Sequence, residues 1–253
     1  MNQPIDMTTD SAWENWGRRD PYFGVITDPK FRRSHLNEDA KRQFFESGGV
    51  HVHYVLATIR GCIDPNFAPR RILDFGCGVG RLLLPFAAMA EEVVGIDVSP
   101  SMLQEAARNC EQRGLRNIRL LLSDDDLSAL TDKFDLIHSY IVFQHIPVER
   151  GRVILEKLMQ HLRPGGVGAI HLTYSKIRYA LTQGAPPPPE QSAPVTARGT
   201  TPTTADPEIQ MNPYNVNQIL FAIQRTGISR FHAEFTDHGG ELGVFIFFQT
   251  PVG

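Results

Sequence analysis

The sequence contains few cysteines, and none of them forms a Cys-x-x-Cys pair. The 253-residue chain has only Cys62, Cys77 and Cys110. Widely spaced thiols in this number do not make a disulfide framework and are typical of a reducing compartment. Residues 1–13 also lack the basic start and the apolar core of a secretory signal peptide. We therefore expect a cytoplasmic protein.

The chain also lacks long apolar runs and an excess of positive charge. The longest apolar run, residues 82–90, contains Pro85 and is far shorter than the roughly 20 residues that cross a bilayer. Lys and Arg number 25 against 28 Asp and Glu, a net charge of -3. A general nucleic-acid-binding protein needs an excess of cations facing the phosphates. The composition therefore predicts neither a membrane protein nor a general nucleic-acid binder.

Short apolar runs alternate with amphipathic segments of helix length through residues 70–175. Five runs have the length and composition of strands: 71–75, 93–96, 118–122, 134–139 and 167–172. Such alternation indicates parallel strands joined by crossover helices. Two further strands, 230–235 and 243–249, are joined by a connection short enough to make them antiparallel. The prediction is a doubly wound α/β fold with three α/β/α layers and a mostly parallel seven-stranded sheet that ends in an antiparallel hairpin.

Composition also divides the chain into an amino-terminal segment and a main domain. Residues 1–69 have helical spacing from about 38 to 59, interrupted at Gly48-Gly49, and are expected to form a helical cap or lid. Residues 70–253 form the doubly wound domain. Within it, about 176–213 is a proline-rich insertion that holds eight of the 18 prolines. Such a segment buries little apolar surface, so we expect a mobile loop or lid there.

The ligand site of such a sheet is expected beyond the carboxyl ends of its strands. The first strand ends in the turn Asp74-Phe-Gly-Cys-Gly-Val-Gly80, whose glycines allow the backbone to approach a ligand closely. The third glycine of a dinucleotide fingerprint would fall at Arg81 instead. A carboxylate at position 74 repels a polyphosphate and suits an ammonium group and hydroxyls. Together with Asp97 at the end of the next strand, the turn favours a small cationic ligand over NAD(P).

Five segments in this order resemble the class I, Rossmann-like methyltransferases that depend on S-adenosylmethionine: ILDFGCGVGRLLLPFA, VVGIDVSPSML, IRLLLSDDDLSAL, FDLIHSYIVFQHIP and LRPGGVGAIHL. The resemblance covers residues 70–172 and implies S-adenosylmethionine as cofactor, with S-adenosylhomocysteine as product. The cofactor-binding residues that it implies are Asp74, Gly76, Cys77, Gly78, Gly80, Asp97, Val98, Met102, Ser123, Asp124 and Tyr140.

Within this set, the resemblance assigns Asp74 to the amino-acid end of the cofactor and Asp97 to the two ribose hydroxyls. Each acid has a structural alternative. For Asp74 it is a polar cap at the strand end, and for Asp97 it is the N-cap of the next helix, although Ser99 suits that role better. Val98 and Met102 would flank the adenine, but their spacing suits a helix core equally well.

The resemblance also implies an acidic or polar group against the adenine amine, after the third strand. Ser123 and Asp124 follow that strand directly, and Asp124 is the first choice. Asp125 and Asp126 continue the acidic run, and a solvated loop is the competing interpretation for both.

His145, after the fourth strand, is the candidate catalytic residue. Methyl transfer requires alignment of the acceptor and, for a hydroxyl acceptor, removal of a proton. An imidazole titrates near the useful range. The alternative is that His145 only positions its loop before Pro147. The residues expected to line the acceptor pocket, with core packing as the alternative for the aromatic ones, are Tyr22, Phe23, Gln144, Tyr174 and Tyr214.

Absent motifs narrow the acceptor. The fourth strand is followed by Tyr-Ile-Val rather than by the Asn/Asp-Pro-Pro-Tyr/Phe motif of nucleic-acid amino methylation, and it supplies no aspartate for a catalytic metal. His51 and His53 are two residues apart and point in different directions on a helix, so they make a poor metal pair. The prediction is a metal-independent methyltransferase, monomeric or homodimeric, that acts on an oxygen of a small metabolite or glycan. The alternatives are a small-molecule N-methyltransferase, an NAD(P)-dependent oxidoreductase and a non-catalytic partner subunit that binds S-adenosylmethionine.

Overall fold

The computed structural model describes residues 8–186, 206 and 209–252. Most of the predicted proline-rich loop, residues 187–205 and 207–208, lies outside the described residues. None of the helices in the described ranges is both long enough and apolar enough to span a membrane.

A single sheet organises the described chain. Its strands are β1 (Arg71–Phe75), β2 (Glu92–Asp97), β3 (Ile118–Leu122), β4 (Phe134–Ser139), β5 (Leu162–Lys176), β6 (Arg230–Asp237) and β7 (Glu241–Gln249). They lie in the order β3-β2-β1-β4-β5-β7-β6. The first five pair in parallel, whereas β7 pairs antiparallel with both β5 and β6. The predicted mostly parallel seven-stranded sheet with a terminal hairpin is confirmed.

The described helices are α1 (Thr8–Arg19), α2 (Pro21–Val25), α3 (Glu38–Cys62), α4 (Leu83–Ala87), α5 (Pro100–Gln112), α6 (Val148–Gln160) and α7 (Val216–Gln224). Successive side chains of β1 point to opposite faces of the sheet, and each face is covered by a layer of helices. Leu73 and Phe75 face a core shared with α6 and α7, whereas Ile72 faces a core shared with α3 and α4. Because both faces of the sheet are covered, its central strands are almost wholly apolar.

Helix α3 runs through Gly48-Gly49 without a break, contrary to the prediction. A Cβ atom at Gly48 would collide with the backbone carbonyl oxygen of Arg81, so this glycine permits a close approach to the β1–α4 turn rather than a break. The carboxyl-terminal half of α3 packs on the sheet through Val52, Val55 and Ile59. Helix α3 therefore belongs to a layer of the main domain, although the sequence boundary at residue 69 assigns it to the cap.

The cap consists of α1, α2 and the segment that leads to α3. Its aromatic core contains Trp16, Phe23 and Phe44, and it extends to Val79 in the β1–α4 turn and Met102 on α5. The cap therefore packs over the carboxyl ends of β1 and β2, where ligands bind in this architecture.

Candidate active site

A cavity of about 1170 Å³ lies between the cap and the carboxyl ends of the central strands. This volume is ample for a nucleoside-sized ligand together with a second small molecule. Eleven of the predicted site residues line the cavity: Phe23, Gly76, Gly78, Asp97, Val98, Met102, Ser123, Asp124, Tyr140, Gln144 and His145. The tertiary structure thus brings residues from five separate segments of the sequence to one site.

The glycine-rich turn and Asp97 form one hydrogen-bonded unit. Gly76, Gly78 and Gly80 all have positive φ, of +74°, +52° and +86°, which explains the alternating glycines. One carboxylate oxygen of Asp97 accepts a hydrogen bond from the Gly78 N–H at 2.9 Å, and the other accepts one from the Ser99 N–H at 2.9 Å. Burial raises the pKa of Asp97 to about 6, against the lowering effect of these two bonds. Each oxygen keeps acceptor capacity for a ligand in the cavity.

The N-cap of α5 is Ser99 and not Asp97. The Ser99 hydroxyl oxygen accepts a hydrogen bond from the Met102 N–H at 3.1 Å, as expected of an N-cap. This leaves Asp97 available for a ligand. The Met102 side chain is buried in the cap core and also lines the cavity, so both interpretations of this residue hold.

Asp124 lies at the cavity but also organises its own turn. Its carboxylate accepts hydrogen bonds from the Ser128 hydroxyl and backbone N–H, which lower its pKa. Asp125 is not the solvated residue that the acidic run suggests. It pairs with Arg150 of α6, whose guanidinium also forms a bidentate pair with Asp10 of α1 at 2.8 Å. Arg150 therefore ties the cap to the main domain across the cavity.

Glu14 provides a second attachment of the cap. Its carboxylate accepts hydrogen bonds from the Ser99 hydroxyl at 2.8 Å and from the Ser101 hydroxyl and N–H at 2.8 and 3.1 Å. Burial alone would raise the pKa of Glu14, but these bonds lower it to about 2. Neither attachment is evident from the sequence, since the partners lie far apart in the chain.

His145 faces the cavity with one nitrogen already engaged. Its Nδ1 lies 2.8 Å from the backbone oxygen of Gln210, which can only accept, so Nδ1 carries the proton and Nε2 carries the lone pair. The ring packs against Trp13 with centroids 4.9 Å apart. Burial lowers the pKa of His145 to about 4, more than the bond to Gln210 raises it. The imidazole is therefore neutral near pH 7 and has a free basic nitrogen.

The predicted acceptor-pocket roles of Tyr22 and Tyr214 are wrong. Both side chains are buried in apolar cores and are absent from the described lining of the cavity. The Tyr22 hydroxyl lies 2.9 Å from carboxylate and amide oxygens of α5, and the Tyr214 hydroxyl donates to the Ile146 carbonyl at 2.9 Å. Tyr174 likewise packs on the α6–α7 core and against Phe235, outside the described lining. The hydroxyls of Tyr22 and Tyr214 complete core hydrogen bonds that the local sequence does not reveal.

Asp74 also does not reach the cavity. Its carboxylate is 2 % exposed and lies 2.8 Å from His138 Nδ1 on the neighbouring strand, consistent with its structural alternative. His138 Nε2 in turn lies 3.0 Å from His51 Nε2 on α3. The side chain of Asp74 points to the α3–α4 face of β1, below the turn. Cys77 and Gly80 are also outside the described lining of the cavity.

Comparison with known proteins agrees with this geometry. A family model described as a methyltransferase domain matches residues 72–166, which run from β1 into β5. This segment is less than half of the chain, and it is similar to a methyltransferase domain, as the motifs predicted.

Among the curated relatives of the chain is the ubiquinone biosynthesis O-methyltransferase of Cereibacter sphaeroides, 34% identical over 101 residues. The match spans 40% of either protein, less than half of the relative's length. The magnesium protoporphyrin IX methyltransferase of Synechocystis PCC 6803, solved with S-adenosylhomocysteine, is similar in structure. Its TM-score is 0.60 at 19% identity over 97% of both chains.

An N-methyltransferase of Bradyrhizobium japonicum, also solved with S-adenosylhomocysteine, has a TM-score of 0.59 at 14% identity. That comparison covers 96% of this chain and 99% of the other. At these identities the two structures show a shared fold.

Proposed function

We propose that the protein binds S-adenosylmethionine in this cavity and transfers its methyl group to an oxygen of a small metabolite or glycan. The observation that carries the proposal is that Asp97, the glycine-rich turn and His145 line one cavity under the cap. The family match and the S-adenosylhomocysteine in both structural neighbours support the cofactor. The match to an O-methyltransferase supports an oxygen acceptor.

The residues present fit the nucleoside half of this cofactor. The half-buried carboxylate of Asp97 would accept hydrogen bonds from the ribose hydroxyls, and such charge-assisted bonds are strong. Val98 and Met102 would flank the adenine, and Ser123 and Asp124 lie where they would accept from its amine. The positive-φ glycine at position 78 lets the backbone approach the ligand without a side chain in between.

His145 would act as the general base. When bound, the cofactor supplies a methyl group on a positively charged sulfur, already activated for displacement. The protein then has to hold the acceptor hydroxyl in line, exclude water and accept the hydroxyl proton. Nε2 of His145 is the atom that would take this proton, since Nδ1–H is held by Gln210. Trp13 and the cap cover the ring on its other side and exclude water.

Substitution of Asp97 tests the cofactor site. We expect Asp97→Ala to weaken S-adenosylhomocysteine binding about 10- to 100-fold, the equivalent of about 1.5–3 kcal/mol for a hydrogen bond to a charged group. Calorimetric titration measures the affinity, and Glu111→Gln on the exposed face of α5 is the control. Equal affinity in Asp97→Ala and the wild type would remove Asp97 from the site. NADH, titrated alongside, is expected not to bind, whereas tight NADH binding would favour the oxidoreductase alternative.

The raised pKa of Asp97 predicts a pH dependence of cofactor affinity. Only the ionised carboxylate accepts from both ribose hydroxyls, and a pKa of about 6 means that this form is lost as the pH falls below 6. We expect S-adenosylhomocysteine affinity to decrease about tenfold from pH 7 to pH 5. Asp97→Asn, titrated over the same range, should bind weakly at every pH and lose this dependence. A wild-type affinity that is constant from pH 7 to pH 5 would contradict the assignment.

A further inference from the structure

The cations that line the cavity differ in what neutralises them. The described lining includes Arg32, Arg81, Arg150, Lys176 and Arg178. Arg32, Arg150 and Lys176 each lie within 3.3 Å of a carboxylate oxygen, at 2.6, 2.8 and 3.3 Å respectively. Arg178 is exposed to solvent. In the described part of the chain, only Arg81 lines the cavity with neither a carboxylate partner nor full exposure.

The Arg81 side chain is held in place, but its hydrogen-bonding capacity is not fully used. Its Nη1 lies 3.4 Å from the Ser47 hydroxyl, a long contact, and its Nε is enclosed without a hydrogen-bond partner. The close approach of α3 at Gly48 encloses the base of this residue. Burial lowers the pKa of the Arg81 guanidinium, although the nearby Asp74 and Tyr140 act in the opposite direction. A half-buried guanidinium that has no carboxylate partner is costly unless an anion accompanies it.

The nearby carboxylate does not serve as that anion. Asp74 is 2 % exposed, and its bond to His138 directs it away from the cavity. The other polar groups on this wall are donors that an anion can use. The Tyr140 ring packs against His51 and lies 6.0 Å from the His238 ring, and Tyr140, His238 and Ser47 all line the cavity. This donor wall (Ser47, Arg81, Tyr140 and His238) runs from the β1–α4 turn towards the β6–β7 turn.

We propose that the donor wall binds a carboxylate or phosphate group of the methyl acceptor, so that the acceptor is an anionic small molecule. The inference rests on the proposed function, because it assumes that the nucleoside occupies the Asp97 side of the cavity. Tyr140 and His238 lie on the side of β4 and the terminal hairpin, and Arg81 lies in the turn after β1, whereas Asp97 and Met102 belong to β2 and α5. A guanidinium fork with hydroxyl and imidazole donors is the chemistry that recognises planar or tetrahedral oxyanions. The carboxylate of the cofactor itself is the competing source of the same chemistry.

Titration with small anions tests this proposal. Inorganic phosphate and malonate are added to the protein saturated with S-adenosylhomocysteine, at constant ionic strength with chloride as the reference. The fluorescence of Trp13 and Trp16, which line the cavity, reports binding. We expect at least one of the two anions to bind, Arg81→Met to weaken it about 10- to 100-fold, and Tyr140→Phe to weaken it about three- to tenfold. Arg108→Met, which removes an exposed cation from α5, is the matched control and should bind like the wild type.

The other outcomes distinguish an anionic group of the acceptor from the carboxylate of the cofactor. Equal anion affinity in Arg81→Met and the wild type, or binding of neither anion, overturns the proposal. If the anions bind only without S-adenosylhomocysteine and Arg81→Met weakens that ligand, Arg81 holds the cofactor carboxylate and the acceptor assignment is wrong. Failure of the wild type to bind S-adenosylhomocysteine contradicts the proposed function instead, and anion binding to the free protein still reports on the donor wall. Arg81→Lys keeps the positive charge but lacks the guanidinium group. An anion affinity between those of the wild type and Arg81→Met would show that the donor wall is still folded in this variant.

Discussion

Replacing His145 with alanine is expected to lower kcat about 10²- to 10⁴-fold for a hydroxyl acceptor, which is the contribution of a positioned general base. S-adenosylhomocysteine affinity should change little, because His145 lies on the α6 side of the cavity, whereas we propose that Asp97 and the glycine-rich turn hold the cofactor. Transfer of labelled methyl from S-adenosylmethionine to any acceptor that the wild type uses measures the effect.

A second variant separates catalysis by His145 from positioning of its loop. His145→Gln keeps a side-chain N–H that can still donate to the Gln210 carbonyl, but it has no basic nitrogen. Both variants should therefore lose turnover alike if His145 is the base. If His145→Gln retains wild-type kcat, the residue only positions its loop.

The pH profile gives an independent check on His145. Its pKa is lowered to about 4, so the basic form predominates at every pH above that value and is lost only as the pH falls through 4. At saturating S-adenosylmethionine, kcat should therefore stay level from pH 8 to pH 5 as far as His145 is concerned. A decrease in kcat centred near pH 6.5 would instead indicate an imidazole of ordinary pKa in the reaction.

The second large effect is expected from the two adjacent glycines of α3. Gly48→Ala should lower the free energy of unfolding by about 1–3 kcal/mol, the usual cost of forcing extra volume into a packed contact. The added methyl would meet the backbone of Arg81, which cannot move aside as a flexible side chain can. Displacement of this turn should also weaken S-adenosylhomocysteine binding.

Gly49→Ala is the matched control, because nothing lies within 4 Å of a Cβ at that position. Alanine in the middle of a helix is more favourable than glycine by about 1 kcal/mol, so this variant should be more stable than the wild type. Urea unfolding of the three proteins measures both changes. Two glycine-to-alanine substitutions at adjacent residues are thus expected to change the free energy of unfolding in opposite directions. A Gly48→Ala variant as stable as Gly49→Ala would show that α3 does not depend on the close approach.

Much of the fold followed from local patterns in the sequence. The strands after residue 70 were predicted because buried parallel strands are short apolar runs and crossover helices have a period of 3.6 residues. The exception in α3 is instructive. Gly48-Gly49 resembles a helix break, but Gly48 instead serves a contact with a turn more than 30 residues later, which local spacing cannot reveal.

The residues of the candidate site likewise include some whose roles depend on local sequence and others whose roles depend on distant elements. The positive-φ glycines, Asp97 and the Ser99 cap were accessible from the sequence because each depends on neighbours within a few residues or on the end of one strand. The engagement of Asp74 by His138 depends on the register between β1 and β4, which places residues 74 and 138 side by side. The core positions of Tyr22 and Tyr214 likewise depend on hydroxyl partners in other elements.

The amino-acid sequence alone therefore determined the doubly wound sheet, the glycine-rich turn and the acid that follows β2, since backbone conformation and strand periodicity are local properties. Only the tertiary structure decided which polar side chains share the cavity and which neutralise one another in the interior. Pairing of a buried charge depends on every element packed around it. For this reason Arg150 is recognised as a tie between the cap and the main domain, and Arg81 as a cation with open donors, only in the folded chain.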